Sequence, residues 1–96
     1  MKLPKLPDLQ DSNTDPNEVM RTLVKYAQSE FGWRQVDISD MLYIATTERK
    51  INDKGDTMRV PITLGRWLLT SKNKKRVHPA YVELLYRKIQ DEIAKY

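Results

Sequence analysis

Lys72, Lys74, Lys75 and Arg76 place four cations within five residues, with no acidic side chain among them. Ammonium and guanidinium groups at that density suit a polyanion, because each phosphate they neutralise releases a condensed counterion. The excess extends upstream. From Arg49 to Arg76 there are nine basic residues against Asp53 and Asp56, a net +7, whereas residues 1–40 carry five basic and seven acidic side chains, a net −2. Such asymmetry implies a binding face for phosphate or for an acidic protein surface. Lys72, Lys74, Lys75 and Arg76 are the first candidates for phosphate contact. Arg49, Lys50, Lys54 and Arg59 are further cations within reach of the same partner. The bland alternative is an ordinary solvated surface.

Catalytic chemistry finds little to work with. His78 is the only histidine, and a serine nucleophile would depend on it for activation. Its place directly before Pro79 reads instead as a helix cap or loop residue. Asp53 and Asp56 flank Lys54-Gly55 without the D-x-[DN]-x-[DN]-G spacing of a calcium loop. The chain has no cysteine, which excludes disulfides and cysteine-ligated zinc. No glycine-rich phosphate loop occurs. The expectation is a binding protein, not an enzyme, with no metal and no cofactor.

The elements that must position the cations follow from length and periodicity. Ninety-six residues make one domain. No apolar run approaches the roughly 20 residues of a membrane helix, and the opening M-K-L-P-K-L-P-D is too short in apolar residues for a signal peptide. The chain is therefore read as soluble and cytoplasmic. Residues 1–14, with Pro4 and Pro7 and no helical period, read as a flexible arm. Residues 15–96 read as a single helical domain.

Asp15-Pro16-Asn17-Glu18 has the form of a helix start, with Asp15 as N-cap and Pro16 at the first helical position. Val19, Met20, Leu23, Val24, Ala27 and Phe31 recur at helical spacing, Arg21, Lys25 and Gln28 face away, and Gly32 closes the helix. Trp33 is expected to pack between helices. Gln35 to Ala45 reads as a second helix, with Asp37 as an alternative cap. Residues 46–60 read as a loop, with a small hairpin carrying Gly55 in the left-handed region as the alternative.

A third helix spans 61–70, opened by Pro61. Leu64, Trp67 and Leu68 share its apolar face, while Thr63, Arg66 and Thr70 lie on others. Gly65 inside it costs about 1 kcal/mol against alanine, so a close approach to another helix or to a phosphate backbone is expected there. Pro79 starts the last helix, with Val82, Leu85, Ile89 and Ile93 as its stripe and Tyr81 and Leu84 beside it.

These residues resemble the helix-turn-helix class of phage repressors over roughly 32–85. Gly32-Trp33-Arg34-Gln35-Val36-Asp37-Ile38-Ser39-Asp40-Met41-Leu42 is similar to the first helix of that motif, and Leu64-Gly65-Arg66-Trp67 to the end of its recognition helix. The basic loop and Val77-His78-Pro79-Ala80-Tyr81-Val82-Glu83-Leu84-Leu85 resemble the lysine- and arginine-rich loop and the proline-started helix that follow. The long stretch from Thr46 to Val60 stands where the motif has a tight turn, and Pro61 and Ile62 stand where it has polar readers.

The resemblance implies an all-α domain of four to five helices, with a hairpin or loop at 46–60, whose second motif helix enters the major groove. By position, Pro61, Ile62 and Thr63 would face the bases and Arg66 a phosphate or a guanine, with Leu64 and Trp67 structural. Lys50 and Arg59 would join Lys72, Lys74, Lys75 and Arg76 in holding DNA. The class further implies a transcription regulator of phage or mobile-element type that binds double-stranded DNA as a homodimer. The last helix is the expected dimer surface, unless the first helix fills its stripe within one chain. The alternative reading is a small inhibitor or adaptor that sets the basic 49–76 face against an acidic protein.

Overall fold

The computed structural model describes residues 3, 5–44, 47–51, 53–69 and 76–95, with backbone alone for 47–51 and 57–59. It forms a small helical domain of four helices: α1 (Pro16–Phe31), α2 (Gln35–Met41), α3 (Ile62–Trp67) and α4 (Pro79–Ile93). A two-stranded antiparallel hairpin, β1 (Thr47–Ile51) with β2 (Thr57–Val60), lies between α2 and α3.

Helix α1 begins and ends where its local chemistry requires. The Asp15 carboxylate accepts the Asn17 N–H at 3.0 Å, Pro16 occupies the first turn, and Gly32 closes the helix at φ +69°. There the Gly32 amide donates to the Gln28 carbonyl and the Trp33 amide to that of Ala27. Phe31 and Trp33 pack with ring centroids 4.9 Å apart and tilted by 40°, so Trp33 packs at the helix junction as its position suggested. Met20, Leu23, Val24 and Ala27 face inward and are essentially inaccessible.

Helix α2 is shorter than periodicity implies. Arg34, not Asp37, is the cap residue, and Asp37 sits three residues inside. The Asp37 carboxylate accepts from the Arg34 backbone N–H at 3.0 Å and from its guanidinium at 3.1 Å. The guanidinium bond first, then the backbone bond, hold the Asp37 carboxyl below its usual range. A depressed acid stabilises the fold above its unfolded-state pKa, and this contribution is lost as pH falls through the folded-state value.

The helix stops at Met41 because the chain turns left-handed two residues later. Tyr43 takes φ +58°, the Ile44 amide donates to the Ser39 carbonyl at 2.9 Å and the Tyr43 amide to that of Asp40 at 3.1 Å. This is a Schellman turn with tyrosine at the position glycine usually fills. A side chain there costs about 1–2 kcal/mol relative to the right-handed region.

Within the stretch expected as a loop, Thr47–Ile51 and Thr57–Val60 pair instead. Thr47 lies opposite Val60, Glu48 opposite Arg59, Lys50 opposite Met58 and Ile51 opposite Thr57, so Arg49 is the extra residue of a bulge. Gly55 takes φ +84° in the connecting turn, as the hairpin alternative required. Two strands are enough because the turn chemistry brings them together locally.

Pro61 precedes α3 as its N-cap residue and does not enter the helix, and the helix ends at Trp67. Thr70 lies outside the described residues. Helix α4 opens as its sequence implies, with the His78 imidazole Nδ1 accepting the Ala80 N–H at 3.1 Å and Pro79 in the first turn. Val82, Leu85 and Ile89 are fully buried, but Ile93 is 39% exposed at the helix end. That stripe packs within the chain against the core that α1, α2 and α3 share, which removes it as a dimer surface. The segment read as an arm lies against the domain: Leu9 is buried, and Leu3 and Leu6 pack on the core. Its turns are held by the Asp8 and Asp11 carboxylates, which accept the Gln10 and Asn13 amides. Among the described residues no helix is long and apolar enough to cross a membrane.

Candidate nucleic-acid interface

Helix α3 divides its six residues between two environments. Leu64 and Trp67, three residues apart, are buried, while Thr63 and Arg66 are exposed and Ile62 is half-buried. The Trp67 ring sits 5.1 Å from that of Tyr81 on α4, so Trp67 is a core residue and not a free stacking platform. A helix this short lacks intrinsic stability, because nucleating it orders several residues for few hydrogen bonds. Its position therefore has to come from its neighbours.

Those neighbours are on α1. Asn17 is 1% exposed. Its Nδ2 donates to the Trp67 carbonyl at 2.9 Å, and its Oδ1 accepts the Val77 N–H at 3.2 Å. One amide side chain thus ties the end of α3 and the residue after Arg76 to the first turn of α1. One helical turn further on, Arg21 donates from Nη1 to the Leu69 carbonyl at 3.2 Å. Arg21 was expected to face away; it instead bonds the chain just past the end of α3. Both ends of the basic loop are consequently fixed from α1.

Sequence reasoning passed over Asn17. A signal was present, since positions 17, 20, 24 and 27 share one helical stripe, and Asn17 is its only polar member. A polar residue on an apolar stripe needs a buried partner.

Apart from its chain neighbours and its own helix backbone, Gly65 has no described heavy atom within 4 Å of the place its Cβ would occupy. Close approach to another helix among the described residues is therefore not its reason. Gly65→Ala is expected to stabilise the protein by up to about 1 kcal/mol, read as a raised melting temperature. A lowered one would mean that the added methyl meets something in the fold.

The predicted contact residues fall in four places. Ile62, Thr63 and Arg66 come together on α3, and Arg76 is exposed just before Val77, beside a cavity also lined by Ser12, Asn13, Thr14 and Asp15. Lys50 and Arg59 belong to the paired strands, where only the backbone is described. Lys72, Lys74 and Lys75 lie outside the described residues. No set of three or more acidic or histidine side chains that could hold a metal ion occurs among the described residues. No known protein family, curated protein or solved structure matches the chain at a significant level.

Proposed function

We propose that this chain binds double-stranded DNA as a repressor-like regulator of phage or mobile-element type, through α3 and the basic loop. The observation that carries the reading is the division of α3: Leu64 and Trp67 anchor it, while Thr63 and Arg66 stand free on the outside. Asn17 and Arg21 hold its end against α1. A short helix fixed from behind, with polar and cationic groups in front and a +7 segment around it, suits insertion beside phosphates. Gly65, with open space at its Cβ, allows a backbone to come close. Direct readout would rest on Thr63 and Arg66, with Ile62 against a thymine methyl. A homodimer belongs to the proposal, because paired half-sites raise affinity and specificity.

Fluorescence anisotropy with random duplex DNA at two salt concentrations tests this. Binding in the range of roughly 10⁻⁴ to 10⁻⁶ M, falling steeply with salt, is expected. Arg66→Ala should weaken it. Lys74→Ala combined with Lys75→Ala should weaken it for every sequence and reduce the salt slope by about two. A folded protein that does not bind at low salt would overturn the reading.

The second reading, an adaptor that sets the basic 49–76 face against an acidic protein, draws on the hairpin. The strands occupy the place of a tight turn and carry open edges among the described residues, which suits a protein partner. Absorbance of the protein purified at low salt separates the two, since a DNA binder carries nucleic acid with it.

A further inference from the structure

Tyr43 is 82% exposed, the most exposed large hydrophobic side chain among the described residues. It is also the only residue other than glycine at positive φ among them. The left-handed turn ends α2, but the tyrosine side chain adds nothing to it. The ring buries almost nothing, and glycine or asparagine would close the turn after Met41 with less strain.

Its position is informative. Tyr43 lies two residues past the end of α2 and four before β1, and the pairing of Thr47 with Val60 returns the chain to Pro61 and the start of α3. Ile62 follows Val60 by two residues, so the residues after α2 and the start of α3 both adjoin the open end of the hairpin in the chain. A tyrosine offers one neutral hydroxyl donor on an apolar body, and such groups commonly position a protein on sugar and phosphate.

We infer that Tyr43 is a further contact residue for the duplex, its phenol hydroxyl donating to a phosphate oxygen beside α3. The inference rests on the DNA-binding reading. It explains why a strained, solvent-facing position carries tyrosine.

Tyr43→Phe and Tyr43→Gly in the full chain separate contact from strain. Tyr43→Phe keeps the ring and the backbone strain, so its melting temperature should match wild type while duplex affinity falls about three- to tenfold. The salt slope should stay unchanged, because a neutral hydroxyl displaces no counterion, whereas Arg76→Ala should lower it by about one. Tyr43→Gly should raise the melting temperature by about 4–8 °C and lose at least as much affinity as Tyr43→Phe. Wild-type affinity in Tyr43→Phe at both salt concentrations would overturn this inference alone. Absence of binding by the wild-type protein at low salt would overturn it together with the reading beneath it.

Discussion

Trp67→Ala is expected to lower stability by about 3–5 kcal/mol, measured as a fall in the urea midpoint with little change in slope. The ring is 7% exposed and packs 5.1 Å from the ring of Tyr81, so its removal leaves a cavity between α3 and α4. A chain of this size has about 5–14 kcal/mol in total, and the variant should approach the edge of folding. Trp67→Phe keeps an aromatic body against Tyr81 and should lose much less. If Trp67→Ala kept the wild-type midpoint, the indole would have to be free, and its role as the anchor of α3 would be wrong.

Asn17→Ala should be nearly as damaging, at about 3 kcal/mol, for a different reason. Alanine leaves the Trp67 carbonyl and the Val77 amide without the partners they now have at 2.9 and 3.2 Å. Each buried polar group so orphaned costs about 1–3 kcal/mol, well above the helix-propensity gain from asparagine to alanine. The same urea titration reads the loss. A functional consequence follows, because Asn17 touches both boundaries of the basic loop. Under the DNA-binding reading, duplex affinity should fall even under conditions where the variant remains folded. Unchanged stability would show that water replaces both bonds, and that α3 is held by packing alone.

These two residues illustrate how legible the site was. The Leu64 and Trp67 spacing identifies the inner face of α3, because side chains three apart share a helix face whatever surrounds them. It leaves Thr63 and Arg66 outside, as found. Asn17 escaped because the obvious role of a polar residue in a first turn is capping, whereas its partners lie 50 and 60 positions away. The hairpin stood only as the alternative to a loop, because four- and five-residue strands carry little periodic signal. Tyr43 escaped because nothing in its type announces a left-handed conformation, which is rare for a bulky side chain.

What the sequence determined by itself is the set of features whose physics closes within about four residues. These are the Asp15 cap and Gly32 stop of α1, the His78 cap and Pro79 start of α4, the buried stripes of both helices and the basic excess of 49–76. The tertiary structure alone decided the rest. It cut α2 at Met41, set Pro61 outside α3, paired β1 with β2, and filled the Val82, Leu85 and Ile89 stripe from within the chain. Above all, it turned Asn17 and Arg21 of α1 into the mounting for α3. The reason is physical: a helix of six residues cannot hold its own place, and buried hydrogen bonds from a distant segment do so.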